Sequence, residues 1–206
     1  MRTALITTLC LLTCLALTLA TGATATAKMD KKGSGSGKET FSALAYLPSG
    51  IGPAMRGAGA TANVKINIEG YSSDQDAQQL QAALSEGPDT LLKALEKMKS
   101  IGRIEREGTV SFYDFKFILS TPTETGRRII AVTDRPIGFL EAYFNGRSTD
   151  YKFGILQLDL KDDKKDKEEG VGALIYSAKI KLLNGNQIDI ENFGIDPIRL
   201  EGVRQL

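Results

Sequence analysis

Histidine and tryptophan are absent from the 206 residues of this sequence, and its two cysteines, Cys10 and Cys14, both fall in the apolar N-terminal segment. Without an imidazole there is no serine–histidine or cysteine–histidine catalysis, no histidine general base at neutral pH and no histidine-built zinc or copper site. Removal of the N-terminal segment takes both thiols with it, which leaves no disulfide, no thiol nucleophile and no thiolate ligand. The lack of indole removes the largest flat stacking surface that a carbohydrate site can use. An excess of one charge is missing as well: 26 Lys and Arg face 25 Asp and Glu. Such a chain has no long-range field with which to collect nucleic acid or an anionic membrane. Neither a cofactor nor a metal site is expected.

The first residues do have a recognisable layout. A single Arg2 precedes an apolar run from Ala4 to Ala20, and small residues close it at Ala25-Thr26-Ala27. That is the order of a secretory signal peptide over 1–27, and it predicts a secreted or periplasmic bacterial protein. Two alternatives stay open. The run is near the lower limit of about 17 residues for spanning a bilayer, so it also suits an uncleaved anchor. Cys14 after Leu11-Leu12-Thr13 resembles a lipoprotein box, with Thr where a smaller residue is usual. After cleavage no stable membrane span is left. Residues 28–40, "KMDKKGSGSGKET", are polar, glycine-rich and without periodicity, which predicts a flexible tether before one domain over 41–206.

Within that domain the dominant period is two. "FSALAYL" and "ANVKINIEGY" read as strands, the second alternating Val64, Ile66 and Ile68 with Lys65, Asn67 and Glu69. In "TVSFYDFKFIL" the odd positions Tyr113, Phe115, Phe117 and Leu119 predict one continuous apolar face. Further strands are expected at "RRIIAVT", "GFLEAYF", "FGILQLDL", "ALIYSAKIKLL", "NQIDIE" and "IRLEGV", with hairpin turns at Asn145-Gly146 and Asn184-Gly185. One stretch has a helical period instead. Ser73 and Asp76 form a capping-box variant before Ala77, Leu80 and Leu84; Pro88 then opens a second helix whose apolar face is Leu91, Leu92, Leu95 and Met98, and Gly102 is the expected C-cap. The fold class is therefore mainly β, an antiparallel sandwich or barrel of about nine strands with a two-helix insertion near the N-terminus. The helix pair is expected over a sheet face or an open end, where it would act as a lid.

Three stretches imitate ligand motifs and fail on spacing. "GSGSGKET" has Lys32 where a phosphate-binding loop needs its first Gly, and Glu39 in place of the magnesium-binding hydroxyl. "PSGIGPAMRGAGAT" has Met55 where a dinucleotide fingerprint needs Gly, so a hairpin loop is the simpler reading. In "DLKDDKKDKEEG" the calcium-loop register puts Lys164 at the third position and Lys167 at the obligatory Gly, leaving a solvated turn of mixed charge.

The best remaining candidate surface is "TDRPIGFLEAYFNGRSTDYKF". Arg135 and Arg147 are suited to bidentate capture of a carboxylate or phosphate, Tyr143, Tyr151 and Phe144 supply flat contact area, and Asp150 completes the set. Arg127 and Arg128 bracket the same strands. A structural account is equally available, in which Asp134 or Asp150 pairs with Arg135 or Arg147 to fix a loop. The expected function is a non-catalytic binding domain for a small molecule, an envelope component or a protein partner, with an apolar ligand inside a barrel as one form of it. The alternatives are a cofactor-independent enzyme (isomerase, cyclase or hydrolase) using carboxylates and Tyr, with Glu141 the most suggestive acid, and a structural envelope protein.

Overall fold

The computed structural model describes residues 37–46, 61–137, 151–161, 169–183, 187–192 and 196–206. Nine strands and two helices follow one another as β1 (Glu39–Tyr46), β2 (Thr61–Ile68), α1 (Asp74–Glu86), α2 (Pro88–Lys97), β3 (Gly102–Arg106), β4 (Phe112–Thr123), β5 (Gly126–Thr133), β6 (Phe153–Lys161), β7 (Glu169–Leu183), β8 (Gln187–Asn192) and β9 (Ile198–Gln205). The strand order β6-β5-β4-β3-β2-β1-β9-β7 is closed by pairing of β6 with β7, and every pairing is antiparallel. The sheet is thus an eight-stranded barrel, and β8 adds to the C-terminal half of β7 outside it.

Inward positions follow from the two-residue period. Phe41, Ala43 and Ala45 of β1 lie beside Val64, Ile66 and Ile68 of the neighbouring β2 and point into the interior, together with Ile104, Phe115, Ile129, Leu156, Leu158, Leu174 and Leu200. An eight-stranded barrel has an interior just wide enough to be filled by side chains or to hold one small ligand. Here it is filled: Phe41, Phe115, Ile66, Ile104, Leu156 and Leu158 have no more than 2 % of their surface exposed. Outward positions of β2 and β3, namely Lys65, Asn67, Arg103 and Glu105, are polar, unlike the apolar band of a barrel that faces lipid. No helix among the described residues is long and apolar enough to cross a membrane.

Bulges interrupt the period, and each sends the following side chains to the opposite wall. In β4 a register shift between Phe115 and Phe117 leaves Phe115 and Ile118 inside while Phe117 turns outward. The continuous odd-numbered apolar face expected from Tyr113 to Leu119 is therefore corrected: the bulge splits it between two cores. In β7 a shift opposite Phe153 and Ile155 separates inward Leu174 and Tyr176 from outward Ala178 and Ile180. In β9 the extra residue is at Glu201-Gly202, where Gly202 has φ 58, a conformation that suits glycine.

The outward residues of β6 and β7 form a second core beneath the helices. Leu80 and Leu84 of α1 and Leu91 and Leu95 of α2 pack with Phe153, Ile155, Ala178 and Ile180. The expected capping box of α1 is present: the Ser73 hydroxyl accepts the Asp76 N–H at 3.2 Å and the Asp76 carboxylate accepts the Ser73 N–H at 2.8 Å. Pro88 opens α2 as its pattern requires. The helix pair lies over a sheet face, the first of the two expected placements, since its apolar faces meet outward side chains. One detail differs from expectation. Gly102 caps no helix; α2 ends at Lys97, and Gly102 starts β3, where a Cβ would lie 2.7 Å from the Asn67 carbonyl oxygen. Strand β3 itself was not among the expected strands, and the expected strand "GFLEAYF" lies outside the described residues. β1 starts at Glu39, two positions inside the stretch that reads as tether.

Candidate functional site

Of the five residues singled out as a binding surface, Arg135 and Tyr151 are described, whereas Tyr143, Arg147 and Asp150 lie outside the described residues, as does Glu141. Arg135 follows β5 at the end of the barrel where β4 begins. Its guanidinium lies 5.3 Å from the centre of the Tyr113 ring and donates to the Phe112 carbonyl at 3.4 Å. Asp134 does not pair with it; that carboxylate is 3.5 Å from the ammonium of Lys116 in the β4 bulge. Just beyond, the Ile137 N–H donates to the Tyr176 carbonyl at 2.7 Å and the Ile137 side chain enters the inner core. Ile137 thereby stoppers this mouth, with Gly154 allowing the approach: a Cβ there would be 2.5 Å from Ile137.

Tyr151 serves a different strand. Its hydroxyl donates to Glu191 of β8 at 2.5 Å, and its carbonyl accepts from the Ser177 hydroxyl at 2.9 Å. The ammonium of Lys181 approaches the other Glu191 oxygen at 2.7 Å. The Lys181 bond, followed by that from Tyr151, holds the Glu191 carboxyl below the ordinary range. Arg135 and Tyr151 thus have partners on β4 and β8 respectively.

The three described bracketing arginines, Arg127, Arg128 and Arg135, do not converge, and Arg147 lies outside the described residues. Arg127 starts β5 and Arg135 follows its end, so the strand's rise of about 3.3 Å per residue holds them at opposite mouths. Arg128 turns outward to Asp159 at 2.5 Å. Arg127 turns inward, donating to Glu39 at 2.9 and 3.3 Å and to the Tyr71 hydroxyl at 3.0 Å, while that hydroxyl donates to Glu39. Burial, with the bond to Glu39, pushes the Tyr71 hydroxyl well above the ordinary tyrosine range, with Arg127 pulling the other way. This triad is a stopper for the second mouth.

With both mouths stoppered and the interior full, concave space is found on the outer wall. A groove of about 500 Å³ runs beside β1 where β2 and the β9 bulge flank it, lined by Ser42, Leu44, Tyr46, Asn63, Glu107, Glu201, Gly202 and Arg204. The β9 bulge forms part of its rim, because the extra residue at Gly202 interrupts the ladder beside Ser42 and Leu44. Arg204 is held by Glu169 at 3.4 Å, whereas neither Glu107 nor Glu201 has an ion-pair partner among the described residues. The groove thus sets two carboxylates beside a tyrosine and an aliphatic side chain, with Arg204 in the lining and Lys65 and Arg199 opposite Ser42 and Tyr46 on the neighbouring strands. No group of three metal-ligating side chains occurs among the described residues. Sequence reasoning missed this groove, because its residues come from four separate segments and only the register brings them together. No protein-family model matches the chain, and neither a curated protein nor a solved structure is significantly similar to it.

Proposed function

We propose that this is a secreted or periplasmic binding domain that takes a small molecule or envelope component on its outer wall, with the β1–β2–β9 groove as its site. One observation carries the reading: two exposed carboxylates without an ion-pair partner among the described residues, Glu107 and Glu201, line the same groove as Tyr46 and Leu44, while the described inward side chains of the barrel are buried against one another. Such a lining suits a ligand with a cationic or multiply hydrogen-bonding group beside a modest apolar part. Export rests on the N-terminal pattern closed by Ala25-Thr26-Ala27. Native mass spectrometry of the protein from its own source tests the reading. A stoichiometric adduct is expected in the wild type and is expected to be lost from Glu107→Gln/Glu201→Gln; a bare polypeptide mass in both overturns it in favour of a structural envelope protein.

A second reading, a cofactor-independent enzyme, is favoured by the same coincidence of two carboxylates and a tyrosine hydroxyl. General acid and base work needs such groups within reach of one substrate. That reading expects turnover abolished by Glu107→Gln with folding intact, whereas a binding site loses affinity without any turnover to lose.

A further inference from the structure

We propose that the β3–β4 hairpin is a membrane-surface contact, in which Val110 and Phe112 enter the interfacial layer of an anionic bilayer and Arg103, Arg106 and Arg135 engage lipid phosphates. Large exposed apolar side chains are few among the described residues, namely Val110, Phe112, Val171, Ile188 and Leu206. Two of these five stand two positions apart on this one tip, with exposures of 97 % and 44 %. The tip is built to present them. Gly108 has φ 78, the Thr109 N–H and hydroxyl both donate to the Arg106 carbonyl, at 3.2 and 3.0 Å, and the Glu107 N–H donates to the Asn63 carbonyl at 3.0 Å.

Two of the three cations around the tip lie over aromatic rings. The Arg103 guanidinium lies 5.5 Å from the Phe112 ring centre and only distantly, at 3.9 Å, from Glu105. Arg135 lies over Tyr113 and reaches the Phe112 carbonyl. A guanidinium stacked on a ring keeps its in-plane N–H donors available for a phosphate, which it binds as a fork. Overall charge near zero does not oppose this, since exposed charges farther away than about 10 Å are largely screened. At the tip Arg103, Arg106 and Arg135 stand beside Glu105 and Glu107, with Asp114 opposite Arg103 on the next strand, and the attraction to lipid rests on the guanidinium forks.

A convex tip cannot enclose a small ligand, and an isolated apolar apex makes little contact with a rigid flat partner. A bilayer interface is deformable and accepts an apolar side chain among its headgroups, where basic residues alongside gain from anionic lipid. The tip shares Glu107 with the groove, but Val110, Phe112 and the three arginines are not part of the groove's lining.

Because the chain has no Trp, Val110→Trp provides a single reporter at the apex, and Val171→Trp provides one away from the tip, at a position 56 % exposed. Each variant is titrated with vesicles of phosphatidylglycerol and with vesicles of phosphatidylcholine. The expected result is a blue shift and protection from iodide for position 110 with phosphatidylglycerol only, absent at position 171, reversed by salt, and weakened about tenfold by Arg103→Gln/Arg135→Gln, in keeping with roughly a tenfold effect per 1.4 kcal/mol. The reporter at 171 separates insertion of the tip from adsorption by the apolar N-terminal run. No shift at 110, equal shifts at both positions, equal response to the two lipids, or indifference to salt overturns the proposal.

Discussion

Glu39 and Arg127 belong to strands four steps apart whichever way the barrel is walked, and their side chains meet across its mouth at 2.9 Å. β1 and β5 share no backbone hydrogen bonds, so the pair, with Tyr71, is a strut from one wall to the other.

Removing one end of the strut is expected to cost more than removing both. With side chains 14 % and 18 % exposed, Arg127→Ala or Glu39→Ala leaves its partner poorly solvated, and a loss of about 2–4 kcal/mol is expected, below the range for a fully buried pair. The double replacement Glu39→Met/Arg127→Met is expected to recover most of that loss, because no charge is left stranded. Urea denaturation of the wild type, the two single variants, the double-methionine variant and Glu39→Ala/Arg127→Ala measures both values; additive losses in the alanine cycle would show the groups to be energetically independent.

Alkaline pH is expected to act through Tyr71. Its hydroxyl stays protonated in the folded protein beyond the point at which an unfolded tyrosine ionises, near pH 10, so the stabilisation is complete below that pH and is lost as pH rises through the folded value. Thermal melts above pH 10 are expected to fall more steeply for the wild type than for Tyr71→Phe. Parallel pH profiles would contradict this linkage.

Two glycines are expected to respond to alanine for different reasons. At Gly170 a Cβ would be 2.1 Å from the Asp159 carbonyl oxygen, and backbone cannot swing aside as a side chain can. Gly170→Ala is expected to cost about 3 kcal/mol or more and to disturb the β6–β7 pairing, at or beyond the upper end of overpacking. At Gly202 there is open space but φ is 58, and alanine is expected to cost only about 1–2 kcal/mol from the left-handed backbone. Comparison of denaturation midpoints decides whether the clash exceeds the conformational penalty.

Ser73→Ala is expected to cost about 1 kcal/mol, the usual value of an N-cap hydroxyl. Hydrogen exchange is the sensitive readout: the first turn of α1 is expected to lose protection while the barrel strands retain theirs.

Where a local rule sufficed, the sequence was readable. The capping box at Ser73 and Asp76, the proline opening α2 and the alternation through β2 all depend on neighbours within a few residues, and each is found as expected. Long-range register was not readable in the same way. The β4 bulge at Lys116 divides Phe115 from Phe117, yet "FYDFKF" shows unbroken alternation, because a bulge depends on the partner strand as much as on its own residues. β3 escaped notice because in "GRIER" a single inward aliphatic residue, Ile104, is flanked by charge. Arg127 and Arg135 looked like neighbours of one surface, but the length of β5 separates them. The groove was hidden for a related reason: Ser42, Asn63, Glu107 and Glu201 share no sequence pattern, the first three being brought together by β1–β2 pairing and the Glu107–Asn63 bond, and Glu201 joining them when β9 docks on β1.

That docking also determines when the barrel becomes whole. β9 fills the gap between β1 and β7, pairing with both, and Phe41 is matched with Gln205 from the far end of the described chain. Contacts so distant in sequence are slow to form, since a long loop must close before they repay its entropy. Until then β1 and β7 each offer an unpaired rim to any other extended chain, the kind of transient species through which aggregation proceeds. The step that completes the sheet is therefore also the step that ends the chain's exposure to its own copies, and kinetic competition between the two is a property of the topology itself.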